Sequence, residues 1–181
     1  MAWNAPITFV ANAVLTAAQL NAQVRDNLLE TAPAKATAAN RIMVTTGANA
    51  LAEREIKDDV IETEQTTTST AYADLGTVGP TVTLTTGTLA LVIINAHVKH
   101  DTSGGHSWAS FAVSGATTSA AADGRAVLFS ADVTGVGGLR AGTATLIALT
   151  AGSNTFTMKY KVSGSGTTGR FGRRRIQVLG L

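Results

Sequence analysis

The chain has 181 residues and a mass of 18.5 kDa, enough for one domain with a substantial core plus an appendage but short for two independent domains. Hydrophobic residues make up 45% and charged residues only 14%, so Thr, Ser, Gly, Ala and Asn must cover much of the surface; that suits a protein partly buried in an assembly better than a free enzyme. A formal charge of +2 gives no argument for a nucleic-acid partner, the lack of cysteine excludes disulfides and thiolate metal sites, and the longest apolar run, Leu89 to Ile94, is far below the ~20 residues of a membrane span, so no membrane insertion is expected.

No apolar h-region stands ahead of a small-residue cleavage site, so no signal peptide is expected. The first segment, MAWNAPITFVANAVL, is a short apolar arm with no core of its own, and Trp3 and Phe9 are its candidates for insertion into a partner. A helix is predicted from Thr16 to Pro33. Thr16 and Gln19 have capping-box spacing, Leu15 and Leu20 fit a hydrophobic staple, and Pro33 is the stop signal. Ala17, Leu20, Val24 and Leu28 recur at steps of three and four and form one narrow apolar stripe. A helix of ~15 residues is marginal in water, so the stripe needs a surface to bury against, supplied either by sister copies or by the chain's own β-domain.

Residues 34–41 read as a connector, and IMVTTGANALAEREI as two extended segments about Gly47-Ala48-Asn49, with NALAEREI alternatively a helical turn. The run TEQTTTSTAY, residues 63–72, suits a linker or edge strand. The organisation expected is therefore an arm and helix over 1–33, a connector over 34–70 and a β-domain over 71–181. Charge is segregated along this layout. Six of the 12 acidic residues fall between Glu53 and Glu64, and Arg170, Arg173, Arg174 and Arg175 lie near the C-terminus. The two readings are a pair of solvated faces, or an acidic collar that meets a basic edge of a neighbouring subunit.

Beyond Tyr72, turn residues punctuate the chain regularly and seven or eight strands are predicted. In FTMKYKV, Phe156, Met158, Tyr160 and Val162 fall on one face and Thr157, Lys159 and Lys161 on the other. Leu89 to Ile94 is apolar on both faces, as for a central strand covered on each side. The fold class expected is mainly β, an antiparallel β-sandwich or jelly roll preceded by an N-terminal arm and one amphipathic α-helix.

Chemical motifs are sparse. The GSGTTG run from Gly164 to Gly169 matches a dinucleotide pattern, but a strand follows it, so it reads as a hairpin loop. His97 and His100 point to opposite strand faces; a metal would require a hairpin that brings His100 to His106 with help from Asp101, or a symmetry axis. Ser110, Ser114 and Ser130 would each need a base and an acid, and no nucleophile elbow occurs. Near the β-domain loops, Asp123 and Asp132 are the main carboxylates, besides Asp74 and Asp101. Trp108, Phe111, Phe129, Phe156, Tyr160 and Phe171 are spread over separate strands, which favours core packing over a stacking platform. No catalytic, cofactor or metal site is expected.

The opening MAWNAPITFVANAVLTAAQLNAQVRDNLLE resembles the N-terminal segment of small virion structural proteins of tailed bacteriophages, especially those of actinobacteria. There a Trp-Pro-aromatic arm, here Trp3, Pro6 and Phe9, precedes a helix carrying T-A-x-x-L-N and R-D-N-L, here Thr16, Ala17, Leu20, Asn21 and Arg25 to Leu28. TAYADLGTVGPTVTLTTGTLALVIINAHV, SFAVSGATT, LTAGSNTFTMKYKV and RRRIQVLGL are similar to a β-sandwich module of phage tail-fibre, minor tail and head-fibre proteins. The stretch 31–70 matches less distinctly. The resemblance implies a non-enzymatic virion protein without cofactor, located on the tail or the capsid exterior and partnered by itself as a homotrimer and by other virion proteins. In that picture Trp3, Pro6 and Phe9 form the anchor and Leu20, Val24 and Leu28 the oligomerisation seam. The alternatives are a capsid decoration or head-fibre protein, or a carbohydrate-binding module that takes host cell-surface glycan through loops 102–107 and 163–170 and Trp108.

Overall fold

A computed structural model describes residues 3–131 and 138–181. The chain divides into two compact units, Met1–Glu55 and Ile56–Leu181. In the first, the capping box forms as the spacing predicts: Thr16 Oγ1 accepts from the Gln19 N–H, and the Gln19 side chain accepts from the Thr16 N–H. The predicted N-terminal helix forms, but it is shorter than expected and not α-helical throughout. Helix α1 (Ala17–Leu20) widens into a π segment (Asn21–Asp26) and returns to α geometry in α2 (Asn27–Leu29). The widening coincides with side chains competing for backbone acceptors, since Ala22 O accepts from Asn4 Nδ2 and Gln23 O from Asn27 Nδ2. The helix also ends before Pro33, which instead occupies the first turn of a separate helix α3 (Ala32–Lys35), where its missing N–H costs nothing. Strands β1 (Arg41–Gly47) and β2 (Ala50–Ile61) follow, and Arg41–Gly47 pairs antiparallel with the Ala50–Glu55 half of β2. The hairpin reading of IMVTTGANALAEREI therefore holds over the helical one.

In the second unit the strands are the rest of β2, β3 (Gln65–Thr67), β4 (Thr81–Thr86), β5 (Leu89–His100), β6 (His106–Gly115), β7 (Val127–Ser130), β8 (Leu139–Ala148), β9 (Gly152–Val162) and β10 (Gly169–Gly180). They form two antiparallel sheets, β2-β10-β5-β8 with β3 also on β10, and β4-β9-β6-β7. Apart from the β6–β7 pair, the eight main strands alternate between the sheets along the chain, and β10 lies between β2 and β5, which is the double Greek key of a jelly roll. Seven of its eight main strands lie where the sequence punctuation puts them. The eighth is β2, inside the stretch read as a connector, so the sheet begins earlier than Tyr72.

In β9 the core is built by alternation. Phe156, Met158, Tyr160 and Val162 are buried, the first three in one cluster with Val92, Ile94, Ile176 and Val178 of the facing sheet and with Phe111 and Leu84. The run at Leu89 does form a central strand, between β10 and β8, with Ala90, Val92 and Ile94 turned inward.

Candidate functional site

The first unit is inside out. Asn27 and Glu30 are its buried side chains, whereas Leu20, Val24 and Leu28, the predicted seam, are 50%, 49% and 60% exposed. The reason is a polar clasp between arm and helix. Asn27 Oδ1 accepts from the Asn4 N–H at 2.7 Å and Asn27 Nδ2 donates to Asn4 O at 3.3 Å, so one amide closes on both backbone groups of one residue. Gln23 Nε2 adds a bond to Ala5 O at 3.0 Å. With polar groups filling the arm–helix contact, the apolar stripe faces out. Nothing in periodicity foretold the clasp, although Asn27 belongs to the R-D-N-L motif.

Of the predicted anchor residues, Pro6 is exposed, and Trp3 and Phe9 are 42% and 66% exposed. They are not brought together. Trp3 donates its N–H to Asn49 O and lines an open hollow of about 390 Å³ with Thr31, Thr45 and Leu51, whereas Phe9 lines a smaller one with Val14 and Leu15. Val10 and Val14 are more exposed still. Burying one such side chain stabilises by about 1.5–3 kcal/mol, so covering the stripe and arm would release several times that amount.

The chemical candidates resolve into structural roles. The acidic stretch and the arginine run meet inside one chain, because β2 pairs with β10: Arg175 contacts Asp58 at 2.6 Å, and Lys99 and Arg170 approach Glu64. The collar reaching for a neighbour's basic edge is thus corrected to adjacent strands of a single sheet. These pairs are well exposed and contribute little to stability. The GSGTTG run is a loop, but the hairpin reading is corrected: β9 and β10 belong to different sheets, so the run carries the chain from one sheet across to the other.

His106 Nδ1 lies 2.8 Å from Ser130 Oγ, but among the described residues no carboxylate bonds to that ring; Asp132 lies outside the described residues. Ser110 Oγ is buried and committed to the backbone of Ala122, and Ser114 is exposed at a strand end. The carboxylates are also engaged. Asp74 holds Lys159 through both oxygens, and Asp101 accepts the Thr168 N–H. Asp123 accepts from Lys161 and the Tyr72 hydroxyl, and its carboxyl is held below the usual range chiefly by Lys161. No set of three His, Cys, Asp or Glu suited to a metal ion occurs among the described residues. Trp108 offers no free platform to a sugar, because Lys161 Nζ sits 4.7 Å above its ring and 4.8 Å above that of Tyr72.

His100 is the one histidine with a defined interior role. Ser107 Oγ donates to Lys99 O, so His100 Nδ1 must donate to Ser107 Oγ at 2.9 Å, leaving Nε2 as a bare acceptor with no partner. A Cβ on Gly105 would lie 2.0 Å from that nitrogen, so only glycine leaves room for the ring. Burial lowers the pKa of His100, opposed by Asp101 and helped by His106. A group whose folded pKa lies below its unfolded value takes up protons first in the unfolded chain. Its stabilisation is present above the ordinary histidine range and lost as pH falls through it. Urea midpoints measured from pH 7.5 to 5 are expected to fall, and His100→Asn to flatten that part of the slope; an unchanged slope would remove His100 from the role.

Comparison with known proteins adds little. No family model matches the chain, and no curated protein matches its sequence. Among solved structures, a structure of infectious bursal disease virus Gx strain is similar at 14% identity and a TM-score of 0.43, covering 75% of this chain and 35% of that one. The VP2 subviral particle of the same virus gives 14% and 0.44 over 76% and 37%. Eiger TNF from S. frugiperda gives 11% and 0.45 over 71% and 92%. This chain thus spans little more than a third of the length of the viral chains, and the jelly-roll assignment rests on its own strand order.

Proposed function

We propose that the chain is a non-enzymatic structural component of a tailed-phage particle, a homotrimeric minor tail or tail-fibre protein. Its arm and helix associate with sister copies and with other virion proteins, and its jelly roll is the outer domain. The observation that carries this reading is the inverted first unit: Leu20, Val24, Leu28, Phe9 and Val14 stand exposed around a polar clasp. A segment that holds its shape with its amides and presents its aliphatics is organised for a partner surface. The resemblance of the arm and helix motifs to phage virion proteins supports the same assignment, and the carboxylates and serines already engaged in structural bonds support a protein without catalysis.

Sedimentation equilibrium of the full chain tests it. Trimers formed through the seam are expected to be the unit of association in the wild type. Val24→Asp with Leu28→Asp is expected to weaken association by at least about tenfold per residue, to leave thermal unfolding of the β-domain unchanged and to abolish incorporation into particles. A variant that assembles and incorporates normally would refute the seam. Copy number per particle separates the tail assignment, a handful, from the capsid decoration or head-fibre alternative, a far larger number.

A further inference from the structure

The two outer faces of the jelly roll differ in kind. On the β4-β9-β6-β7 sheet the outward positions of β4 and β9 are Thr81, Thr83, Thr85, Thr155, Thr157, Lys159 and Lys161, with the threonine hydroxyls paired across the strands. On β4 and β9 that is the polar exterior expected of a sandwich in water, while β6 and β7 add Trp108 and the half-exposed Leu128. On the other sheet the register sets Ile56 beside Leu179, Leu179 beside Leu91 and Leu91 beside Leu146, an unbroken aliphatic row across β2, β10, β5 and β8. Rows on either side add Ile93 with Ala144 and Leu89 with Ala148. Ile56, Leu146 and Leu89 are 52%, 60% and 38% exposed. The apolar-on-both-faces pattern of β5 is therefore satisfied within the chain on its inner face alone.

We infer that this outer face of the β2-β10-β5-β8 sheet is an interface with a second copy of the same chain, separate from the helix seam. Size and the self-matching aliphatic row favour that occupant. Four strands ~4.8 Å apart and about 35 Å long present roughly 650 Å² per copy, so two copies would bury about 1,300 Å², within the range of specific interfaces. A copy turned about an axis along the strands lays the aliphatic row over its own counterpart.

The chain has no cysteine, so single labels are clean. In concentrated full-length protein, alkylation at Leu146→Cys is expected to be several-fold slower than at Thr85→Cys on the opposite sheet, and to recover on dilution. Ile56→Glu with Leu146→Glu is expected to weaken association about 100-fold with an unchanged unfolding midpoint, since both side chains are half exposed in the single chain. Protection is also expected to persist in the Val24→Asp, Leu28→Asp background. Equal alkylation at the two cysteines, or a monomer at every concentration in that background, would overturn the sheet interface while leaving the helix seam to stand or fall by its own test. Should the glutamate variant misfold, the cysteine rates decide alone.

Discussion

Arg174→Met is expected to destabilise the jelly-roll unit by about 3–5 kcal/mol and to lower its thermal midpoint by roughly 10 °C. The side chain is fully buried, and among the described residues none of its hydrogen-bond partners is a carboxylate. Its guanidinium donates to Gln65 Oε1 at 3.0 Å, to Gly79 O at 3.2 Å and, at 3.5 Å each, to Thr63 O and Thr77 O, and it lies 5.4 Å from the Tyr160 ring centroid. All of these acceptors belong to the strap between Thr63 and Gly79, so a single cation ties that strap to β10. Methionine fills much of the volume but leaves the carbonyls facing an apolar chain, each unpaired group costing about 1–3 kcal/mol. The neighbouring Tyr160 hydroxyl also donates to Gly79 O, and its pKa is raised mainly by burial. Tyr160→Phe should therefore couple to Arg174→Met, the double variant losing a sum different from that of its parts. Circular dichroism melts of the three variants measure both quantities, and a wild-type midpoint for Arg174→Met would dismiss the strap account.

Asn154→Asp should cost about as much, on the order of 3–5 kcal/mol, although it changes almost no volume. Asn154 is fully buried at the start of β9. Its Oδ1 accepts the Thr117 N–H at 2.8 Å, while Nδ2 donates to Thr86 Oγ1 at 2.8 Å and Thr150 O at 3.0 Å. One amide thus closes three connections at one end of the sandwich. An aspartate keeps the bond to Thr117 but turns an oxygen toward the Thr150 carbonyl, and places a charge where no cation waits. The signature separating this from general packing loss is pH. The variant should recover part of its stability when acidified enough to protonate the new carboxyl, and an acid-independent deficit would contradict the donor role given to Nδ2.

Legibility in the sequence followed the range of the interaction. The capping box at Thr16 and Gln19 was readable because it spans three residues. The Asn4–Asn27 clasp was not, because it joins side chain to backbone across 23 residues and leaves no periodic trace. Of the three consecutive arginines, the middle one is interior, in phase with Ile176 and Val178, while the register shift between Gly172 and Arg175 lets Phe171 be buried out of that phase. The acidic stretch showed its charge but not its address. Its partner strand lies more than a hundred residues away, and Asp58 meets Arg175 only once the jelly roll has wrapped.

By itself the sequence determined where the strands of the β-domain lie, that they are antiparallel, and that the arm and helix carry exposed-type apolar patterning, because alternation, turn residues and caps are set by neighbours along the chain. Strand order, the recruitment of β2 into the sheet, the burial of Arg174 and the contrast between a threonine-covered face and a leucine-covered one were decided only by tertiary structure. Those properties depend on which distant segments pair and in what register, and a period of two says that a strand has two faces without saying what each will meet.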